Sequence, residues 1–250
     1  MSEGKTQMIQ KLNTVWRIVL NYIYYTARPQ SINPIHLLRQ VREGFSVQKV
    51  RRKYPDLYKE ICGLIANSGS TGGEWSDYLT LYEEIRSKKP GKILELGSGI
   101  SSLVICFAIE ENAKDTNKTA DFFSVEENEY YHRQIVDIFP EKYRQKVNFL
   151  LRDRNQRRYQ NILGGYYENL PKEDFDYIFI DGPTVRTAET AEKSFNADLV
   201  NLIEENQLSR VNGLLDERIY TYWAFKRLLP KLRIKYSVVK KISFFSFEKK

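Results

Sequence analysis

The residues that could do chemistry begin with a glycine turn. Gly97, Ser98 and Gly99 follow the apolar run at residues 92–96 and precede a helical pattern that starts near Ser101. A strand that runs into a Gly-x-Gly turn and then a helix presents free backbone N–H groups to an anionic ligand. Gly97 permits a sharp turn with a left-handed backbone, and Gly99 lets a ligand approach the main chain where a side chain would collide. Taken alone, the same pattern also describes a plain connection between strand and helix.

A carboxylate follows the next predicted strand. Residues 122–125 are apolar enough for a strand, and Glu126 comes directly after them. The end of the second strand lies beside the glycine turn in a parallel sheet, where a carboxylate can accept hydrogen bonds from both hydroxyls of a ribose. Glu126 is better placed for this role than Glu127, which already enters the following helix. The pair of features therefore predicts a nucleoside-binding site.

Three further acidic residues follow two later strands. Asp181 comes directly after residues 177–180, and Asp216 and Glu217 follow residues 213–215. The carboxyl ends of parallel strands form the crevice where open α/β sheets bind ligands. Carboxylates there could remove a proton from a hydroxyl or hold a divalent cation such as Mg²⁺. We predict Asp181 as the catalytic residue and all three as metal ligands, with ordinary loop charge as the alternative for Asp216 and Glu217.

Alternating strands and helices must position these residues. Five apolar strands are predicted at residues 92–96, 122–125, 147–151, 177–180 and 213–215, with helices at 101–111, 128–139, 187–205 and 220–229. Such alternation is typical of an α/β fold with a parallel sheet covered on both faces. Two final strands at 235–240 and 243–248 have no helix between them, which predicts an antiparallel pair at the end of the sheet.

The composition divides the chain near residue 67. The 250 residues carry 39 Lys and Arg against 32 Asp and Glu, a net charge of +7. Residues 1–60 hold 11 of the basic and 4 of the acidic residues. We predict a basic helical N-terminal segment over 1–66 and a cofactor-binding domain over 67–250. Because the excess charge lies in the N-terminal segment and not around the cleft, a nucleic-acid substrate is disfavoured.

The N-terminal segment contains an amphipathic pattern at residues 11–27. Arg17 and Asn21 interrupt its apolar residues, so neither a transmembrane helix nor a signal peptide is predicted. The helix is expected to pack on its own domain or on a partner subunit. The alternative is a membrane surface, with Trp16 at the headgroup level and the basic residues 49–53 nearby. Two cysteines among 250 residues indicate a reduced, cytoplasmic protein. If the helix at 11–27 binds a membrane surface, the protein is expected to be peripheral at the membrane.

Three segments in this order resemble the class I S-adenosylmethionine-dependent methyltransferases. They are ILELGSGIS at residues 93–101, FFSV followed by Glu126, and FDYIFIDGP at residues 175–183. The resemblance implies a Rossmann-like, doubly wound seven-stranded sheet, mostly parallel with an antiparallel C-terminal strand. It also implies S-adenosylmethionine as the cofactor, with Gly97 and Gly99 at its methionine part, Glu126 at its ribose and Asp153 near its adenine. The full set of cofactor-binding residues expected on this basis is Glu95, Gly97, Ser98, Gly99, Ser101, Glu126 and Asp153.

The sequence leaves several functions open. A nicotinamide-dependent oxidoreductase shares the glycine turn but requires a third glycine where this chain has Ser102. The chain lacks the Asn-Pro-Pro-Tyr or Asp-Pro-Pro-Tyr segment of enzymes that methylate the amino groups of bases. Methyl transfer to an oxygen of a small molecule or sugar is therefore favoured. The catechol-type O-methyltransferases are similar, although they carry Asp-Asn where this chain has Asp216-Glu217. A subunit that binds S-adenosylmethionine without catalysis is the other alternative.

Overall fold

A computed structural model describes residues 34–68, 73–186 and 192–249, with side chains from Leu38 onward. The predicted helix at 11–27 lies outside the described residues. The helices are α1 (Pro34–Lys53), α2 (Pro55–Ser68), α3 (Trp75–Lys88), α4 (Ile100–Thr116), α5 (Glu129–Ile138), α6 (Glu141–Arg144), α7 (Asp198–Glu204) and α8 (Ile219–Leu228). The strands are β1 (Lys92–Leu96), β2 (Asp121–Glu126), β3 (Asn148–Leu151), β4 (Arg154–Tyr159), β5 (Ile162–Tyr167), β6 (Tyr177–Ile180), β7 (Phe195–Asn196), β8 (Arg210–Asp216), β9 (Arg233–Ser237) and β10 (Ile242–Glu248).

Seven strands form the central sheet in the order β3-β2-β1-β6-β8-β10-β9. The pairs among β3, β2, β1, β6 and β8 are parallel, whereas β10 is antiparallel to both of its neighbours. The predicted α/β architecture, including the antiparallel pair at its end, is confirmed. From β1 the chain proceeds outwards to β2 and β3, and it then returns to β6 on the other side of β1. A crevice therefore opens at the carboxyl ends of β1 and β6.

Apolar side chains on both faces of the strands explain why the sheet is covered on both sides. Successive residues of a strand point to opposite faces. Ile93 packs in a core with helices α2, α3 and α4, and Leu94 packs in a second core with α7 and α8. Both side chains are fully buried. The site residues at the strand ends are therefore held by a sheet fixed from both faces.

A second sheet of three strands, in the order β4-β5-β7, was not predicted. Strand β4 (RNQRRY) has no apolar alternation, and β5 contains Gly164 and Gly165, so neither matches the usual pattern of a strand. The predicted helix at 187–205 is wrong for residues 192–197, the first of its residues that the structure describes. Phe195 and Asn196 pair with β5 as strand β7, and the helix begins only at Asp198.

The N-terminal helices α1 and α2 pack on the same core as the sheet. Val50 of α1 and Leu57 of α2 are fully buried in the cluster that contains α3 and α4. Glu43 of α1 accepts hydrogen bonds from the backbone N–H groups of Trp75 and Ser76, the latter at 3.0 Å. These are the first donors of α3, which lack a partner within the helix. Helix α1 therefore fixes the start of α3, and a boundary at residue 67 remains a prediction.

Arg39 of α1 joins two other parts of the chain. Its guanidinium lies 2.6 Å from a carboxylate oxygen of Glu74 and 3.0 Å from one of Glu217. Glu74 precedes α3 and Glu217 follows β8, so one side chain connects the N-terminal helices to a strand end of the sheet.

No helix in the described ranges is both long and apolar enough to span a membrane.

Candidate functional site

The turn after β1 contacts the turn after β6 directly. The amide of Gly97 donates to the carbonyl of Val125 at 2.8 Å, and the amide of Asp181 donates to the carbonyl of Leu96 at 2.8 Å. Gly97 has a φ of +98°, and a Cβ built there would lie 2.7 Å from the backbone nitrogen of Gly182. Glycine is required at this position for both reasons, because a side chain would be strained and would also collide.

We expect Gly97→Ala to destabilise the protein by about 2–5 kcal/mol, because the new methyl group meets backbone that cannot move aside. Chemical denaturation measures this change in the free energy of unfolding. Gly63→Ala is the matched control, since nothing lies within 4 Å of its Cβ position in helix α2. The control is expected to stay within about 1 kcal/mol of the parent. Equal midpoints for the parent and Gly97→Ala would contradict the predicted collision.

Gly99 serves a different purpose from Gly97. Its φ of −178° is extended, so its backbone would accept any residue. Among the described residues, the one atom within 4 Å of a Cβ built at Gly99 is the hydroxyl oxygen of Ser101, at 3.8 Å. Two cavities, of about 470 and 290 Å³, are both lined by Ser98, Gly99 and Ile100. The glycine at 99 thus leaves room where two cavities meet.

The larger of these cavities contains the predicted ribose carboxylate. Glu126 is 7% exposed and lines it together with Tyr130 and Tyr131 of α5. Its carboxylate accepts hydrogen bonds from the amide of Asn128 at 2.9 Å and from the amide of Ser98 at 3.3 Å. Burial raises the pKa of Glu126 to about 7, because the charged form loses water. Glu126 is therefore connected to the glycine turn and is poised to titrate near neutral pH.

Glu95 lies behind the turn and is fully buried. One of its oxygens accepts from the hydroxyl of Ser124 at 2.6 Å and from that of Ser102. Ser98 joins the same network through Ser124, with 2.8 Å between the two hydroxyl oxygens. Burial raises the pKa of Glu95 to about 7. Glu95 lines neither cavity, so its hydrogen bonds with the two serines hold the turn from behind.

Three acidic residues line the smaller cavity. Asp181 and Asp216 come from the ends of β6 and β8, and Asp77 comes from the first turn of α3. Burial raises the pKa of Asp216, and the charges of Asp181 and Asp77 raise it further. One oxygen of Asp216 is buried without a hydrogen-bond partner. Burial likewise raises the pKa of Asp77 to about 7. We therefore expect Asp216 to be largely protonated at neutral pH.

Asp181 differs from Asp216 because a cation lies beside it. The side chain of Asp181 is half exposed, and an oxygen of its carboxylate lies 3.7 Å from the guanidinium of Arg218. Loss of surrounding water raises its pKa, whereas the charge of Arg218 lowers it. Arg218 also donates to the carbonyl of Pro183 at 2.6 Å, which holds the turn after β6 in place. Of the two aspartates, Asp181 is the better candidate for an ionised base.

The predicted metal group is not assembled. Glu217 pairs with Arg39 at 3.0 Å and with Lys241, so two cations already engage its carboxylate. Across the described ranges, no group of three or more His, Cys, Asp or Glu side chains is placed to hold a metal ion. The residues present therefore do not fit the predicted Mg²⁺ site of Asp181, Asp216 and Glu217.

Three other residues complete the comparison with the sequence-based expectations. Asp153 is exposed between β3 and β4 and does not line either cavity. Asp77 and Tyr78 were missed in the sequence-based predictions. Tyr78 is buried and also lines the smaller cavity. The available signal was the position of both residues in the first turn of a helix, directly after the most glycine-rich stretch of the chain.

Comparisons with known proteins give a match at the level of structure only. No family model matches the chain, and neither does any curated protein. A methyltransferase from Geobacter sulfurreducens superimposes with a TM-score of 0.50 at 12% identity, covering 84% of this chain and 96% of that one. A Staphylococcus aureus protein, provisionally named a caffeoyl-CoA O-methyltransferase, gives 0.53 at 12% identity over 84% and 100% of the two chains. The chain has the class I methyltransferase fold.

A third solved structure supports the same assignment. A Klebsiella pneumoniae protein, provisionally named an O-methyltransferase, superimposes with a TM-score of 0.52 at 12% identity, covering 84% of this chain and 97% of that one. In the class I methyltransferase fold, as in open α/β sheets generally, ligands bind at the carboxyl ends of the strands. Both cavities around Gly99 lie at that edge of the sheet.

Proposed function

We propose that this protein transfers a methyl group from S-adenosylmethionine to an oxygen atom of a small molecule or sugar. The observation that carries the proposal is the position of Gly99, at the junction of a cavity walled by Glu126 and a cavity walled by three aspartates. A methyl donor in the first cavity and an acceptor in the second would meet at this glycine. The methyltransferase fold and the O-methyltransferase names of two similar structures support the same reaction.

The residues around the turn fit the proposed cofactor. Glu126 can accept hydrogen bonds from the two ribose hydroxyls, and the space at Gly99 admits the main body of the ligand against bare backbone. Glu95 supports the turn from behind, because its carboxylate accepts hydrogen bonds from Ser102 and Ser124. Ser98 and Ser101 line the same space. Contact between Asp153 and the adenine remains part of the proposal.

The chemistry requires alignment and the removal of one proton. Bound S-adenosylmethionine supplies an electrophilic methyl group on a sulfonium sulfur. Asp181 accepts the proton of the acceptor hydroxyl. Loss of water raises the pKa of its carboxyl, and the charge of Arg218 limits that rise. Protonated Asp216 donates a hydrogen bond that orients the acceptor. Tyr78 and Asp77 of α3 close the other side of the cavity, whose volume of about 290 Å³ suits a small acceptor.

The direct test has two parts. Calorimetric titration with S-adenosylhomocysteine should show binding, and absence of any binding would overturn the proposal. A metabolite extract incubated with the protein and trideuteromethyl-labelled S-adenosylmethionine should then yield a labelled product by mass spectrometry. The incubation is run with and without magnesium, and similar yields are expected because the predicted metal group is not assembled. Binding without any labelled product would instead favour a subunit that holds the cofactor without catalysis.

Cofactor affinity should depend on pH through Glu126. Ribose hydroxyls donate to the ionised carboxylate, and the pKa of Glu126 in the free protein is about 7. As the pH falls from 8 to 6, the ionised fraction drops about tenfold, and the dissociation constant of S-adenosylhomocysteine should rise by a similar factor. Calorimetry at several pH values measures this change.

Two variants separate Glu126 from its neighbour. Glu126→Gln should weaken binding by about 1–3 kcal/mol at pH 8 through loss of charge-assisted hydrogen bonds, and should flatten the pH dependence. Glu95→Gln is the control, because Glu95 has a similar pKa of about 7 but lies behind the turn. A pH dependence that survives in Glu126→Gln and disappears in Glu95→Gln would assign the titration to Glu95.

A further inference from the structure

A cavity of about 660 Å³ lies far from the site around Gly99. It opens at the amino ends of β8 and β9 and is closed on one side by the loop between α8 and β9. Arg210, at the first position of β8, lines it, whereas Asp216 of the acceptor cavity stands at the last position of that strand. Six residues of strand separate the two by roughly 20 Å. The cavity is therefore distinct from the proposed active site.

Four cations line this cavity, namely Arg210, Lys231, Arg233 and Lys249. Within the described ranges, none of their side chains forms an ion pair or a hydrogen bond. One carboxylate, that of Glu248, also lines the cavity and lies opposite Arg210 in the sheet, without forming an ion pair with it. Elsewhere in the chain the exposed arginines of β4 are paired, as Arg158 is with Glu192. Four unpaired cations around one cavity repel one another, and a bound anion would relieve that repulsion.

The register of the strands places the polar groups on one face of the sheet. Asn212 pairs with Ser246, and Ser246 pairs with Arg233 on its other side. Arg210 is two residues from Asn212, so its side chain points to the same face. Two guanidinium groups therefore share this face with the neutral donors of Asn212 and Ser246. Guanidinium groups bind phosphate oxygens in pairs, which suits an arrangement fixed on three strands.

The basic surface continues into a neighbouring cavity of about 570 Å³. This second cavity shares Asn212, Arg233 and Ser246 with the first. It adds two cations, Lys88 and Lys235, and one carboxylate, Glu84. The combined surface is longer than a single phosphate group, so one phosphate could contact only part of it. We propose that this cavity binds a small molecule with two or more phosphate groups. The proposal does not depend on the proposed methyl transfer.

Calorimetric titration of the full chain with pyrophosphate at low ionic strength tests this proposal. Pyrophosphate should bind at least tenfold more tightly than inorganic phosphate, and added salt should weaken it. The double variant Arg210→Gln/Arg233→Gln should lose at least tenfold in affinity for pyrophosphate. Its circular dichroism spectrum and thermal midpoint should match those of the parent, which shows that the variant is folded.

The matched control removes the same charge from another surface. Arg51→Gln/Arg52→Gln changes two exposed arginines of α1 that form no ion pair in the described ranges. This control should bind pyrophosphate like the parent. Absence of pyrophosphate binding, or an equal loss in both double variants, would overturn the proposal, since the latter result indicates attraction by net charge only.

Discussion

Gly99→Val should abolish binding of S-adenosylhomocysteine while leaving the protein folded. The valine side chain would enter the space shared by the two cavities, where a Cβ meets nothing closer than the Ser101 hydroxyl at 3.8 Å. Since the backbone at Gly99 is extended, the substitution adds no strain to the free protein. We expect no measurable heat of binding by calorimetry and a thermal midpoint close to that of the parent.

The control for this prediction tests whether replacing a glycine by valine impairs binding when the new side chain does not enter the cavities. Gly63→Val places the same side chain on an exposed position of α2, where nothing lies within 4 Å. It should bind S-adenosylhomocysteine as the parent does. Near-normal binding by Gly99→Val would show that the ligand does not approach this part of the turn, and the cofactor site would have to be moved.

Asp181→Asn should lower the rate of methyl transfer by about 10²–10⁴-fold, the usual contribution of a positioned general base. Asparagine keeps the size of the side chain but cannot accept the proton. Because Asp181 lines the acceptor cavity and not the cavity of Glu126, the dissociation constant of S-adenosylhomocysteine should change by less than about threefold. Turnover is followed with the labelled product found in the extract experiment, and affinity by calorimetry.

Asp216→Asn serves as the matched control at the neighbouring strand end. Since burial and the charge of Asp181 raise the pKa of Asp216, its carboxyl is largely protonated at neutral pH, and asparagine can replace it as a hydrogen-bond donor. We expect Asp216→Asn to keep more than about a tenth of the parent's activity. Equal losses of turnover and cofactor affinity in Asp181→Asn would instead give Asp181 a structural role.

Local patterns predicted the central sheet well because its strands are apolar throughout. β1 and β6 occur at the predicted residues, and β2, β3 and β8 differ from prediction only at their ends. The second sheet could not be predicted, because β4 is polar and its pairing with β5 depends on contacts across the fold. The helix expected at 187–205 failed for the same reason, since Phe195 pairs with a strand distant in sequence.

The candidate site likewise contains residues that sequence analysis found and residues that it missed. The glycine turn and Glu126 could be found from sequence because a strand, a turn and a carboxylate follow one another locally. Asp77 was not found, because its proximity to Asp216 depends on the packing of α3. The expectation for Glu217 failed because its partner Arg39 is 178 residues away in the chain. Residues whose role depends on tertiary partners are therefore the ones that local patterns miss.

The connections made by helix α1 bear on how acceptor choice can change. Glu43 satisfies the first donors of the helix that carries Asp77 and Tyr78, and Arg39 joins that helix to the loop after β8. None of these contacts touches Gly99 or Glu126. We therefore expect substitutions in α1 to alter the wall formed by Asp77 and Tyr78 without changing the cavity of Glu126. Under the proposed function, exchange of the N-terminal helices would change the choice of acceptor and keep the methyl donor.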